Sequence, residues 1–139
     1  MSEFEASRPI AAPRDAVFAV AADPANLSRW VPGEVHVEPV ADNVVRADGP
    51  LVPDAPREGV TGASEQQYRV EWGSRGDGRY AGWLQVYESG DDASEATVHL
   101  SFLGDQPQAH GGAAAADVER MLHEALDRLA DVVTSGGQR

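Results

Sequence analysis

The chain has 139 residues, of which 42% are hydrophobic and 24% charged, so we expect one domain with a single core spanning residues 1–139. Its 23 acidic residues against 11 basic residues give a formal net charge of −12. That charge repels a phosphate backbone or an anionic membrane surface, so nucleic acid is not an expected partner. Cysteine is absent, which excludes disulfides, thiol nucleophiles and thiolate zinc sites.

The hydropathy of the chain predicts a cytoplasmic protein without a stable membrane anchor. The N-terminal residues have neither the basic flank nor the apolar run of a signal peptide. No later stretch reaches the length of about 18 apolar residues that a membrane-spanning helix needs.

The N-terminal third predicts a strand followed by two short helices. Residues 4–10 are strand-like, and Pro13 suits the first turn of a helix because the N–H that proline lacks would have no helical partner. Asp23 and Pro24 can close this helix and begin a second one, with Asp23 as the cap. The second helix carries Trp30.

Residues 34–40 and 43–47 read as two short strands joined by a turn. In residues 49–63, a loop or an interrupted edge strand is predicted by Pro50, Pro53, Pro56, Gly59 and Gly62. Loops of this length are often functional.

Residues 68–102 have the clearest two-residue period in the chain and predict three consecutive antiparallel strands. The apolar parity comprises Tyr68, Val70, Trp72, Tyr80, Gly82, Leu84, Val86, Val98, Leu100 and Phe102. The opposite parity, with Arg69, Glu71 and His99, is expected to face solvent. Gly82 marks either a bulge, which is the commoner case, or a close approach of ligand.

Residues 113–133 predict a long amphipathic helix. Starting near Gly112 and stopping near Gly136, it would extend about 35 Å at about 1.5 Å per residue, and it is expected to cover the concave face of the sheet. Residues 135–139 are expected to form a flexible tail. The helix begins with four alanines at 113–116, whose small side chains would leave space for a ligand. The alternative is that alanine is simply a strong helix former.

The order of these elements predicts an α+β fold. The segments Ile10-Ala11-Ala12-Pro13, Val17-Phe18, Asp23-Pro24 and Leu27-Ser28-Arg29-Trp30, followed by the sheet and the terminal helix, resemble the SRPBCC or START-like helix-grip superfamily. The resemblance is to its polyketide cyclase/dehydrase and lipid transport branch. It implies a curved antiparallel sheet wrapped around the long helix, with two short helices after the first strand, and a deep apolar pocket whose mouth lies near residues 49–63. Fold alone does not choose among the functions of such a superfamily.

We therefore expect the chain to bind a hydrophobic or amphipathic small molecule, lipid- or polyketide-like, with no metal and no cofactor. The candidate ligand-binding residues are Trp30, Tyr68, Val70, Trp72, Tyr80, Leu84, Leu100, Phe102 and Arg8. The aromatic residues among them serve core packing equally well. Trp30 is alternatively an anchor of the second helix, and Arg8 alternatively pairs with a carboxylate.

A second hypothesis is a polyketide aromatase/cyclase. Ring closure needs a general acid or base at the reacting carbon, yet the apolar parity of the three strands contains no His, Asp or Glu. The hydroxyls of Tyr68 and Tyr80, with Arg8, are its polar groups. No catalytic residue is assigned, and binding is favoured over catalysis, although a cyclase could act by shape or recruit groups from loops.

A third hypothesis uses the outside of the sheet. Trp83 and Tyr87 interrupt the polar parity of their strand, so both are expected on the convex face. A pair of large aromatics there indicates a contact surface, which would make the chain a homodimer or a partner-binding module, similar to the chaperone-associated branch of the superfamily. The alternative is that neighbouring side chains cover them or that a bulge turns them inward.

Overall fold

The strands form one antiparallel sheet. The computed structural model describes residues 2–30, 36–41, 44–48, 57–74, 80–102 and 113–136. Within these residues the sheet has seven strands: β1 Ser2–Ile10, β2 His36–Ala41, β3 Val44–Asp48, β4 Arg57–Ser64, β5 Arg69–Ser74, β6 Tyr80–Gly90 and β7 Ala93–Phe102. Their order across the sheet is β1-β7-β6-β5-β4-β3-β2, and each neighbouring pair is antiparallel. The first two strands of the chain are therefore its edges.

Two short helices and one long helix complete the described part of the fold, as the sequence predicts. They are α1 Arg14–Ala22, α2 Leu27–Trp30 and α3 Ala113–Gly136, with a 3₁₀ turn, Pro24–Asn26, leading into α2. Pro13 is the cap residue of α1, one position earlier than predicted. The carboxylate of Asp23 accepts a hydrogen bond from the backbone N–H of Ala25 at 3.0 Å, which confirms its role as a cap.

The core lies between α3 and one face of the sheet, which we call the inner face. Helix α3 buries Val118, Leu122, Leu126, Leu129 and Val133, and it packs against β1 and β7 and against α1 and α2. Its 24 residues extend about 36 Å. The helix includes the first two residues of the predicted tail, and the last three lie outside the described residues. Of the four alanines, Ala115 is half-buried against the core and Ala116 is exposed.

The prediction of a loop or an interrupted edge strand at residues 49–63 was wrong for the described part of this segment. Residues 57–63 belong to β4, which lies between β3 and β5 inside the sheet and is neither a loop nor an edge strand. Gly59, one of the residues that indicated a loop, instead fits a close strand-to-strand contact: a Cβ added to Gly59 would lie 2.9 Å from the carbonyl oxygen of Gly73 in β5. Residues 49–56 lie outside the described residues.

A second correction concerns Gly82, where no bulge occurs. Trp72, Gly82 and Leu100 pair in regular register across β5, β6 and β7. The register shifts instead between Glu88 and Gly90, and between residues 39 and 41 of β2. The missing side chain of Gly82 instead leaves room for the Trp72 ring.

In the described part of the chain, no helix is both long enough and apolar enough to cross a membrane.

Candidate ligand site

The inner face is buried on β1, β7 and β6 and partly accessible toward β4. Side chains of directly paired residues lie on the same face of a sheet. One row across five strands consists of Phe4, Leu100, Gly82, Trp72 and Thr61, and the row beside it consists of Ala6, Val98, Leu84, Val70 and Ala63. Residues on β1, β7 and β6 are buried in both rows, whereas Trp72 and Thr61 are half-buried and Ala63 is exposed. Helix α3 packs over β1 and β7, and accessible surface remains at Trp72 of β5 and at Thr61 and Ala63 of β4, while Val70 of β5 is still buried.

Several predicted ligand-binding residues lie in the packed core. Val70, Leu84, Leu100 and Phe102 are at most 1% exposed and are covered by other protein atoms. A ligand would reach them only if their neighbours moved. Tyr80 is the first residue of β6, and its side chain lies outside what the structure describes. Of the candidates on the three central strands, Trp72 is the one whose described side chain keeps substantial accessible surface.

Trp72 lies over a glycine and against a second tryptophan. A Cβ added to Gly82 would lie 2.6 Å from the Trp72 ring, so this indole occupies the space that a side chain at Gly82 would fill. The rings of Trp30 and Trp72 meet edge to face, with centroids 5.5 Å apart and planes at 82°. Trp30 itself has no accessible surface. Trp30 therefore anchors α2 by packing against Trp72 of β5.

Ser28 holds α2, and with it Trp30, against the edge strand β2. The Ser28 hydroxyl donates a hydrogen bond to the Val37 carbonyl at 2.9 Å and accepts one from the Val37 N–H at 2.7 Å. A four-residue helix has little stability of its own, so this tertiary contact is needed to hold it in place. Sequence reasoning missed the role of Ser28, although serine is well known for binding backbone groups of neighbouring segments.

The placement of Tyr68 is a further correction. Tyr68 is the last residue of the turn before β5, with φ of 51°, and is not part of the strand, although its half-buried side chain does pack against the core. Its backbone is held there because its carbonyl accepts a hydrogen bond from Val86 N–H at 2.9 Å. The alternating pattern extends one residue beyond the strand, which is why the sequence placed Tyr68 with Val70.

The Tyr68 side chain joins this turn to α1. Its hydroxyl donates a 2.7 Å hydrogen bond to the Asp15 carboxylate, and its ring packs edge-on against Phe18. The Arg14 guanidinium lies 3.8 Å above the same ring. The hydrogen bond to Asp15 raises the pKa of Tyr68, and partial burial and the Asp15 charge act in the same direction.

Arg8 lies on the inner-face parity at the edge of the sheet but turns toward α3. Its Nε is 2.9 Å from Asp127 Oδ1, and its Nη1 donates to the carbonyl of Pro9 at 3.1 Å. Both partners of the ion pair are substantially exposed, at 39% and 65% of their side chains. This is the carboxylate pairing that the sequence analysis gave as the alternative, and a ligand-orienting role for Arg8 stays a prediction.

The buried polar groups of the described residues are few. Ser94 donates to the carbonyl of Ala12 at 2.9 Å, and Thr97 shares a 2.7 Å hydrogen bond with Ser7. Among the side chains whose burial the structure describes, no carboxylate and no imidazole is buried. The accessible part of the inner face therefore offers an aromatic ring, small side chains and the Thr61 hydroxyl, and general acid–base catalysis would need a group from elsewhere.

On the opposite face of the sheet, Trp83 stands between two neighbours. Its ring stacks on His99, with centroids 5.1 Å apart and planes at 4°, and the Arg69 guanidinium lies 4.4 Å from the ring centroid. His99 also lies 3.3 Å from the carboxylates of both Glu3 and Glu5, so its outward orientation is confirmed.

Trp83 and Tyr87 both lie on this outer face, as predicted. Trp83 is half-buried by its neighbours, whereas Tyr87 is 44% exposed. A dimer or partner interface at these residues stays a prediction.

A known protein family matches nearly the whole chain. Residues 1–134 match the family model described as "Polyketide cyclase / dehydrase and lipid transport". The chain belongs to this family. The match spans the whole described structure except the last two residues of α3 and confirms the resemblance seen in the sequence.

Solved structures similar to this family member share its helix-grip fold. The protein TTHA0849 from Thermus thermophilus has a TM-score of 0.74 at 17% identity, covering 97% of this chain and 99% of that one. Two di-domain ARO/CYC proteins also match: StfQ from the steffimycin biosynthetic pathway, with a TM-score of 0.67 at 24% identity, and BexL from the BE-7585A pathway, with 0.66 at 20%.

The match to StfQ covers 98% of this chain and the match to BexL covers 94% of it. In each case the chain spans 46% of the di-domain protein. At these identities the likeness shows the fold alone. No curated protein matches the chain.

Proposed function

We propose that this protein binds a hydrophobic or amphipathic small molecule, lipid- or polyketide-like, on the inner face of β4 and β5. The observation that carries the proposal is the loss of burial along the two inner-face rows. Trp72 keeps accessible surface next to the small side chains of Thr61 and Ala63, on the face that forms the hydrophobic core elsewhere. Covering the remaining accessible surface of this ring with an apolar molecule is favourable by about 25 cal/mol per Å² of apolar surface removed from water.

Charge supports a neutral or weakly polar ligand. The net charge of −12 disfavours a strongly anionic molecule. The described inner face has no buried carboxylate or imidazole, so packing rather than ionic contact would supply most of the affinity. Family membership is compatible with this proposal, since the family's description includes lipid transport.

The test is binding of N-phenyl-1-naphthylamine, a neutral apolar dye whose fluorescence rises in apolar surroundings. Replacing Trp72 with Ala removes the exposed aromatic surface, and we expect the dye to bind at least about tenfold more weakly. Trp83→Ala is the matched control, because it removes the same side chain from the outer face. Equal affinity in both variants would refute the proposed site, and an absence of saturable binding to the unaltered protein would refute the proposed function.

A second candidate function is polyketide aromatase/cyclase activity. It is favoured by the family's description and by the two ARO/CYC structural neighbours, and it is opposed by the lack of a buried carboxylate or imidazole in the described residues. Incubation with a linear poly-β-ketone thioester mimic, followed by mass spectrometry, separates the two functions. A catalyst forms a cyclised, dehydrated product faster than the buffer does, whereas a binding protein returns the mimic unchanged.

A further inference from the structure

Trp30 carries a buried donor that lacks an acceptor. The indole has no accessible surface, and within the described residues its Nε1 has no hydrogen-bond partner. Tryptophan has a single N–H, so the whole hydrogen-bonding capacity of this side chain is unused. Buried polar groups are nearly always paired, and an unpaired one is destabilising unless something else satisfies it.

The ring that carries this donor lies next to the candidate site. The Trp30 ring meets the Trp72 ring edge to face at 5.5 Å, and Trp72 is an aromatic side chain that keeps accessible surface on the inner face. Trp72 therefore separates Trp30 from the site in this structure. A perpendicular aromatic ring offers at most a weak π acceptor for an N–H group, far weaker than an oxygen.

Arg14 Nε is also buried and unpaired in the described residues, but its case differs. The Arg14 guanidinium stacks on Tyr68, and its other N–H groups can satisfy its demand for acceptors. The Trp30 indole has no such second donor.

We propose that Trp30 donates its Nε1 hydrogen bond to an oxygen of the bound ligand when Trp72 moves aside. This inference rests on the proposed function and narrows the ligand class to apolar molecules that carry a carbonyl or ether oxygen. A lone hydrocarbon would leave the donor unpaired. An oxygen on an otherwise apolar body pairs it while keeping the packing that the inner face offers.

The test uses two probes of the same shape, 1-tetralone, which carries one carbonyl, and tetralin, which carries none. The chain has three tryptophans, so the 15N-labelled protein has three indole N–H signals. Trp72→Phe and Trp83→Phe identify two of them, and the third is Trp30 even if a Trp30 variant does not fold. We expect 1-tetralone to move the Trp30 signal downfield, as a hydrogen bond to oxygen does, and tetralin not to do so.

Trp30→Phe supplies the second measurement, because it keeps an aromatic ring and removes the N–H. We expect 1-tetralone to bind about fivefold more weakly to this variant, as the loss of one neutral hydrogen bond predicts, and tetralin to bind with unchanged affinity. If both probes bind the unaltered protein and 1-tetralone moves the Trp30 signal no further downfield than tetralin does, the inference is overturned and the proposed function stands. If neither probe binds, the proposed function fails and the inference fails with it.

Discussion

The Trp72 indole lies where the side chain of its neighbour Gly82 would be. The two residues are directly paired across β5 and β6, and a Cβ at Gly82 would lie 2.6 Å from Trp72 Cε2, closer than real Cβ contacts allow. A glycine in a strand is often covered by an aromatic ring in this way. The orientation of the main accessible aromatic at the candidate site therefore depends on one missing methyl group.

Replacing Gly82 with Ala should displace the Trp72 ring and destabilise the fold by about 1–3 kcal/mol, the usual cost of overpacking. Urea unfolding followed by circular dichroism measures this. Gly62→Ala in β4 is the control: nothing lies within 4 Å of its added Cβ, so we expect no loss of stability and a gain of up to about 1 kcal/mol. In a protein that already carries Trp72→Ala, Gly82→Ala should cause little further loss of stability. A loss of the same size in that variant would contradict the contact between Gly82 and the Trp72 ring.

Replacing Ser28 with Ala should lower the free energy of unfolding by about 1 kcal/mol, because both hydrogen bonds to the backbone of Val37 are lost while water replaces part of them. It should also weaken dye binding, since Trp30 loses the contact that holds its helix against β2. Ser135→Ala, at an exposed position in the last turn of α3, should change stability by no more than about 0.5 kcal/mol. Identical unfolding curves for the two variants would show that Ser28 does not hold α2.

Replacing Arg8 with Gln tests whether this residue orients a ligand. Because the pair with Asp127 is exposed, we expect the free energy of unfolding to change by no more than about 1 kcal/mol. Dye and 1-tetralone should bind with unchanged affinity, as they should to Asp127→Asn. A marked loss of affinity in Arg8→Gln alone would mean that Arg8 leaves Asp127 and reaches the ligand.

Tyr68→Phe should remove a pH-dependent part of the stability. The hydrogen bond to Asp15 raises the pKa of Tyr68 above its ordinary value of 10.0, so the folded state holds this proton more tightly than the unfolded state does. The stabilisation is fully present below pH 10.0 and is lost as the pH rises through the folded-state pKa.

The measurement is the difference in urea midpoint between the unaltered protein and Tyr68→Phe from pH 8 to pH 11. The other two tyrosines are common to both proteins and cancel in the comparison. We expect the difference to shrink at the alkaline end. A difference that stays constant across this range would show that the Asp15 contact does not persist in solution.

Much of the fold could be predicted because local patterns and tertiary burial agree in those segments. The alternation in residues 70–102 follows burial in β5, β6 and β7, and the apolar stripe of residues 118–133 is the buried side of α3. The cap at Asp23 was predictable since it involves residues close in sequence. Where local and tertiary preferences differed, the prediction was wrong: Gly59 lies in a strand and not in a loop, and Tyr68 lies in a turn and not in a strand.

The sequence by itself determined the class of fold, the parity of the central strands and the family, because each depends on spacing along the chain. Only the tertiary structure decided which apolar residues are sealed in the core and which remain accessible, since that depends on where α3 crosses the sheet. It also decided that Gly82 accommodates Trp72, that Arg8 pairs with Asp127 and that the Trp30 N–H is unpaired within the described residues. These are contacts between residues far apart in the chain, and no local pattern records them.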